Sequence, residues 1–243
     1  MSSLLISLLL PLFLLAATVD GEWLPSGPLT MYWDCCKPSA AWPNAAPVSA
    51  PAHSCARDGL TRLSDHNAQS VCGGGPAYTC TNYQPFSIGN VGYVFSARAN
   101  NGNMNPPDYL CGCYRLTTHQ QPGLVLITQV LNEGGSLSDG QFDLQVPGGC
   151  VGDFNGCVSE YNSPPDGWGQ RFGGVGTVEE CSSLPASLRQ GCHWRFKTFD
   201  SGKGLQTTSS ATRVKCPAAL TDISGCVRLD DHWLAAAPET LKA

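Results

Sequence analysis

Two aspartates stand out because their neighbours are able to fix and tune a carboxyl group. The first, Asp34, lies in Thr30-Met31-Tyr32-Trp33-Asp34-Cys35-Cys36-Lys37-Pro38-Ser39, between two aromatics and two vicinal cysteines. Disulfides at both sulfurs would hold the backbone after Asp34 rigidly. Tyr32 and Trp33 would then partly desolvate the carboxylate or offer faces to a sugar ring. The second, Asp143, lies in Phe142-Asp143-Leu144-Gln145-Val146, where apolar and polar residues alternate. On a pleated strand Phe142, Leu144 and Val146 face one side, and Asp143 and Gln145 the other. Gly134-Gly135 and Gly148-Gly149 flank this segment. A carboxylate on a rigid element beside glycine-rich loops is a reasonable site for proton transfer. On residues alone, plainer readings stand beside both motifs: a structural cysteine knot with an incidental acid, and an ordinary solvent-facing aspartate.

The elements that must position these groups read as mostly β with a few short helices. Strand patterns cover 92–97, 111–117, 124–130, 141–146 and 193–199. Leu60, Leu63, Asn67 and Val71 follow a loose helical spacing, and Thr177-x-x-Glu180 reads as a capping box opening a short helix that Pro185 ends. Pro217 predicts the start of a last turn that stops near Gly225. No repeat, low-complexity tract or Ser/Thr/Pro-rich linker appears, which predicts one domain with no tethered binding module.

The first residues hold an apolar run from Leu4 to Ala17, too short to span a bilayer comfortably and followed by small residues. Residues 1–21 therefore read as a signal peptide and 22–243 as a single domain, secreted to the extracellular space with no membrane partner. Charged residues are 14% of the chain, the net charge is −5, and Gly and Pro number 27 and 18. The acidic balance disfavours nucleic acid and anionic membrane, and suits a neutral substrate. In an oxidising compartment the 13 cysteines predict a disulfide framework, with at least one left unpaired. Cys35-Cys36 and Cys111-x-Cys113 lack His neighbours at ligand spacing, so no metal is expected. The histidines at 53, 66, 119, 193 and 232 are scattered. No G-x-S-x-G, H-E-x-x-H or phosphate loop is present, and no cofactor is expected.

YWDCCKPS followed by Trp42, FDLQVPGG with its downstream VG-x-F-x-GC, GQRFGG at 169–174 and CHWRF at 192–196 together resemble the glycoside hydrolase family 45 endoglucanases. The resemblance runs from about Thr30 to Asp230. It implies a six-stranded double-psi β-barrel with short helices, long disulfide-linked loops and an open groove for a β-1,4-glucan chain. It implies cleavage of internal bonds of cellulose-type chains with inversion by a monomeric enzyme, with Asp34 as general base and Asp143 as general acid. Opposite roles for identical side chains require their pKa values to be pushed apart, Asp143 being the higher. Tyr32, Trp33 and Trp42 would line the groove on the non-reducing side of the scissile bond. Thr30 and Lys37 would supply hydrogen bonds near its centre, and Phe172 stands where relatives often have Tyr.

By the same resemblance the bridges are Cys35–Cys157, Cys36–Cys72, Cys55–Cys80, Cys111–Cys226, Cys113–Cys216 and Cys181–Cys192. Ala40 and Leu110 occupy the places of a seventh pair, and Cys150 is left as a free thiol where Gly is usual. Ser136 stands where relatives commonly carry an Asp on a loop that closes over the acid; Asp139, three residues on, is the candidate replacement. The rival reading from another functional class is a non-hydrolytic expansin- or barwin-like wall-binding protein. Expansins share the acid-like aspartate, but both types lack a counterpart of Asp34.

Overall fold

The computed structural model describes residues 23–99, 104–199 and 206–237; the segment 1–21, read as a signal peptide, lies outside them. Strand β1 (Trp23–Leu24) precedes β2 (Pro28–Tyr32), then β3 (Phe86–Ile88), β4 (Val91–Ala99), helix α1 (Pro106–Tyr109), β5 (Cys113–Thr118), β6 (Val125–Gly134) and β7 (Phe142–Gln145). Helices α2 (Cys157–Tyr161) and α3 (Arg189–Thr198), strand β8 (Gln206–Val214) and helix α4 (Ala218–Ser224) complete the chain. Proline and glycine bracket α4 as expected: Pro217 is its N-cap, and Gly225 closes it in the left-handed conformation.

The chain is mostly β, and its strand pairings return on themselves. β8 pairs with β2, β2 with β7, β7 with β4, β4 with β6, β6 with β5, and β5 again with β8. Two of these pairs, β2–β7 and β4–β6, are parallel, and the others are antiparallel. Every residue of β4 is buried, as is the Val-Leu-Ile-Thr-Gln-Val-Leu run that opens β6. Such near-continuous burial is characteristic of strands covered on both faces. Phe142, Leu144 and Val146 are fully buried in the principal core, alongside Leu29, Val94, Leu116 and Ile127. Truncating a core aromatic such as Phe142 to Ala costs about 3–5 kcal/mol.

A second, smaller core holds Trp33, Cys35, Cys157, Val175, Cys181, Leu184, Leu188 and Cys192. Six disulfides join Cys35–Cys157, Cys36–Cys72, Cys55–Cys80, Cys111–Cys226, Cys113–Cys216 and Cys181–Cys192, and Cys150 is free.

Three local expectations fail for identifiable reasons. Residues 193–198, read as strand, belong to α3. Its buried residues Gly191, Cys192, Trp194 and Arg195 follow a helical rather than a two-residue period. Residues 60–70 form bends, turns and isolated bridges and no α-helix, because the Asp58 carboxylate accepts the N–H groups of Leu60 and Thr61 and Cys55 is stapled to Cys80. The predicted capping box is displaced: a 3₁₀ segment spans Glu179–Ser183 with Val178 at its cap, and Glu180 instead accepts from the Gly176 N–H at 2.6 Å. Gln145 faces away from the principal core, as alternation requires, yet it is buried, its amide donating to the Thr79 hydroxyl at 2.7 Å.

Candidate active site

Asp143 sits mid-strand on β7. There Thr30 of β2 is its partner on one side and Ala97 of β4 its partner on the other. That register carries the Thr30 hydroxyl to the Asp143 carboxylate, to which it donates at 2.6 Å. Gln141, two residues earlier on the same face, donates to the Thr30 hydroxyl at 2.9 Å. The side-chain carbonyl of Gln141 in turn accepts the Ser138 N–H and hydroxyl, both at 2.9 Å. A relay thus links the 135–140 loop to the acid. Sequence reading passed over Gln141, although its two-residue offset from Asp143 was the available signal.

Asp34 lies two residues past the end of β2. Its carboxylate accepts the Cys36 N–H at 2.9 Å, and its carbonyl accepts the Gly156 N–H at 2.8 Å. Cys35 turns the chain with φ 62°, a left-handed conformation that costs a residue with a Cβ on the order of 1 kcal/mol or more. The Cys35–Cys157 bridge holds it there. The chain between Asp34 and the glycine-rich turn at 148–149 is drawn tight: Trp33 N–H donates to the Cys150 carbonyl and Cys150 N–H to that of Met31. A Cβ at Gly149 would lie 2.6 Å from the Tyr32 backbone nitrogen, so only glycine permits this approach.

Asp34 and Asp143 line one cleft of about 150 Å³, with Tyr32, Asn132, Ser136 and Cys150 on its walls. Burial pushes Asp143 up to about 7; the Thr30 hydrogen bond works against this rise and the Asp34 charge adds to it. Burial raises Asp34 to about 6, opposed by the Cys36 N–H bond. Both carboxyls are therefore held above the ordinary carboxylate range, and a charge on Asp34 favours the protonated form of Asp143. The Cys150 thiol is pushed up to about 12, first by burial and then by both carboxylates. It stays protonated beside them.

The cleft opens into longer depressions. It shares Asp34, Asn132 and Phe154 with a cavity of about 680 Å³ reaching Lys37 and Cys72, and it shares Cys150 with one of about 240 Å³ bordered by Thr30 and Phe172. The two carboxyl groups thus lie on the smallest of three adjoining depressions, together referred to as the trough.

A profile described as Glycosyl hydrolase family 45 matches residues 26–227. The chain belongs to glycosyl hydrolase family 45. It is 44% identical over 216 residues to an endoglucanase of Cryptopygus antarcticus, covering 88% of this chain and 94% of that protein. The crystal structure of the cellulase from that Antarctic springtail superimposes with a TM-score of 0.79, covering 87% of this chain and 99% of that one. Endoglucanase 1 of Mycosarcoma maydis is 38% identical over 240 residues, but the match covers only 60% of the fungal protein's length.

Within this family 45 site, not every expected residue faces the trough. Tyr32 does, with Asn132 on the same wall and its pKa raised by burial and by Asp34. Trp33, next along an extended chain, points the other way. It is 1% exposed in the second core, and its indole N–H has no acceptor among the described residues, so the expected groove contact is not made. Lys37 borders the trough, but its ammonium is committed to the His66 and Ala68 carbonyls at 2.7 and 2.9 Å and lies 3.4 Å from the Trp42 ring centroid. It braces a loop and is not turned toward the centre. Trp42 is half-buried beneath it. Phe172 is exposed beside the trough. Ser136 lines the cleft, whereas Asp139 is exposed outside its walls.

Proposed function

We propose that this glycoside hydrolase is a secreted, monomeric endo-β-1,4-glucanase that cuts internal bonds of cellulose-type chains with inversion. The printed names of its relatives support the substrate class. The leader at 1–21 and the six disulfides support secretion. The closed six-strand circuit with two parallel pairs supports a double-psi β-barrel.

The observation that carries the mechanism is a pair of raised carboxyls on one cleft, with the Thr30 hydroxyl bonded to Asp143 and the Asp34 charge favouring the protonated form of Asp143. Asp143, as the protonated partner, gives its proton to the glycosidic oxygen as that bond breaks. Asp34, as the ionised one, takes a proton from a water that attacks the anomeric carbon from the opposite face. Inversion requires about 6.5–9.5 Å between the carboxyls to admit that water. Thr30 orients the acid through its 2.6 Å bond, and Tyr32 lends one wall apolar surface that keeps both groups desolvated.

Proton NMR of a cello-oligosaccharide digest tests the whole reading, with the α-anomer expected first. First appearance of the β-anomer would reject inversion. A failure to release reducing ends from carboxymethylcellulose would return the expansin-like alternative.

A further inference from the structure

The depressions do not end at Phe172. The cavity beside it shares Gly173 and Arg195 with another of about 560 Å³, one wall of which is Trp168. Trp168 and Ser183 also border a cavity of about 570 Å³ on the far side, reaching Tyr161, Asn162 and Arg189. Trp168 is the wall common to both, and each is larger than the cavity that leads to them.

The lining chemistry matches that of a hydroxylated neutral chain. Trp168 and Tyr161 pack with ring centroids 6.1 Å apart at 58°, giving two differently tilted aromatic surfaces, and the 72% exposed Phe172 precedes them along the path from the cleft. Asn162 and Arg189 bring amide and guanidinium groups to the same wall, and the far cavity has no carboxylate lining. The surface is also preorganised. Tyr161 bonds Thr81 through its hydroxyl at 3.1 Å, Arg189 donates to the Leu184 carbonyl at 2.8 Å, and Trp168 packs against the disulfide-rich second core. Rigid aromatic anchors bind at low entropic cost.

We propose that the wall around Trp168 is a second binding region for the same glucan chain, gripping a stretch remote from the bond being cut. This rests on the glucanase reading. Binding energy gained there is available only to chains long enough to occupy cleft and wall together, so it appears as a length-dependent KM.

The test measures kcat and KM from cellotriose to cello-octaose for wild type, Trp168→Ala, Trp168→Phe and Asn162→Gly. The last keeps a residue suited to the left-handed backbone found there, φ 56°. For Trp168→Ala, KM should rise about three- to tenfold on the longest substrates, the usual worth of one aromatic contact. The shortest substrates should be cut with unchanged kcat and KM, which also reports correct folding. Trp168→Phe guards the packing and should give a smaller rise, as should Asn162→Gly. A change equal at every length, or none at any, overturns the proposal. If wild type cleaves nothing, the glucanase reading fails separately. Affinity electrophoresis in hydroxyethylcellulose then decides, and equal retardation of wild type and Trp168→Ala would reject the wall.

Discussion

Asp143 is held by a sheet, with β2 hydrogen-bonded on one side of its strand and β4 on the other, and Phe142 and Leu144 locked in the principal core. Asp34 is held by staples. It lies beyond the last rung of β2, where a left-handed Cys35, the Cys35–Cys157 and Cys36–Cys72 bridges and a few turn hydrogen bonds fix its direction. The first position is over-determined by many weak bonds spread through the core. The second depends on a few strong ones, and so is exposed to different insults.

The sharpest way to break this comparison is to delete each carboxyl in turn. Asp143→Asn should lose about 10²–10⁴ in kcat on cellulose oligomers, the worth of a positioned proton donor. It should lose far less on an aryl cellotrioside whose leaving phenolate needs no proton. Asp34→Asn should lose comparably on both substrates, since water must be activated in either case. Equal losses for the two variants on both substrates would refute the assignment of roles.

Cutting a staple comes next. Replacing Cys35 and Cys157 together by Ala, or Cys113 and Cys216, opens loops of similar length, with separations of 122 and 103 residues. Each should cost about 2–5 kcal/mol of stability, read from denaturant midpoints. Only the first should also depress kcat of the folded protein, because only it releases the turn behind Asp34. A matching fall in kcat for both pairs would mean that the sheet transmits strain as readily as the loop.

A smaller effect sharpens the electrostatic side. Both carboxyls sit above their unfolded values, so the folded chain binds protons more tightly than the unfolded one. The stability they contribute is therefore present in acid and lost as pH rises through about 6 and then about 7. Asp143→Asn removes the charge that the fold resists, and it should stabilise the protein by on the order of 1–3 kcal/mol at pH 8 and by almost nothing at about pH 3, below the unfolded carboxyl's value of about 3.9. Identical shifts in Tm at the two pH values would contradict the buried-carboxyl account.

What was legible in the chain follows the same division. β4 and β6 announce themselves through long buried apolar runs, and β7 through strict alternation, so the orientation of Asp143 was readable before its surroundings were. β2 is short and begins at Pro28, and β8, Gln-Thr-Thr-Ser-Ser-Ala-Thr-Arg-Val, is polar enough to pass for a loop. It is a strand because β5 and β2 supply partners for its backbone, which is a tertiary fact. The pairing of Thr30 with Asp143 lay hidden for the same reason, since nothing local specifies a parallel register. Trp33 misled because aromatic residues beside an acid suit a sugar platform and a buried core equally well.

The smallest predicted effect concerns the bond that this register creates. The Thr30 hydroxyl donates to Asp143 and so favours its ionised form, holding the carboxyl lower than burial alone would. Thr30→Val keeps the β-branched shape and removes the donor. Asp143 should then retain its proton to higher pH, moving the alkaline limb of the kcat/KM profile upward. The acidic limb follows Asp34, whose own hydrogen bond comes from Cys36, and should stay in place. Thr30→Ser should restore the original profile. Gln141 loses its acceptor in the valine variant, so a modest drop in maximal rate is expected as the 135–140 loop loosens. If the alkaline limb moved downward, or both limbs moved together, Thr30 would be acting through the fold and not through the proton it shares with the acid.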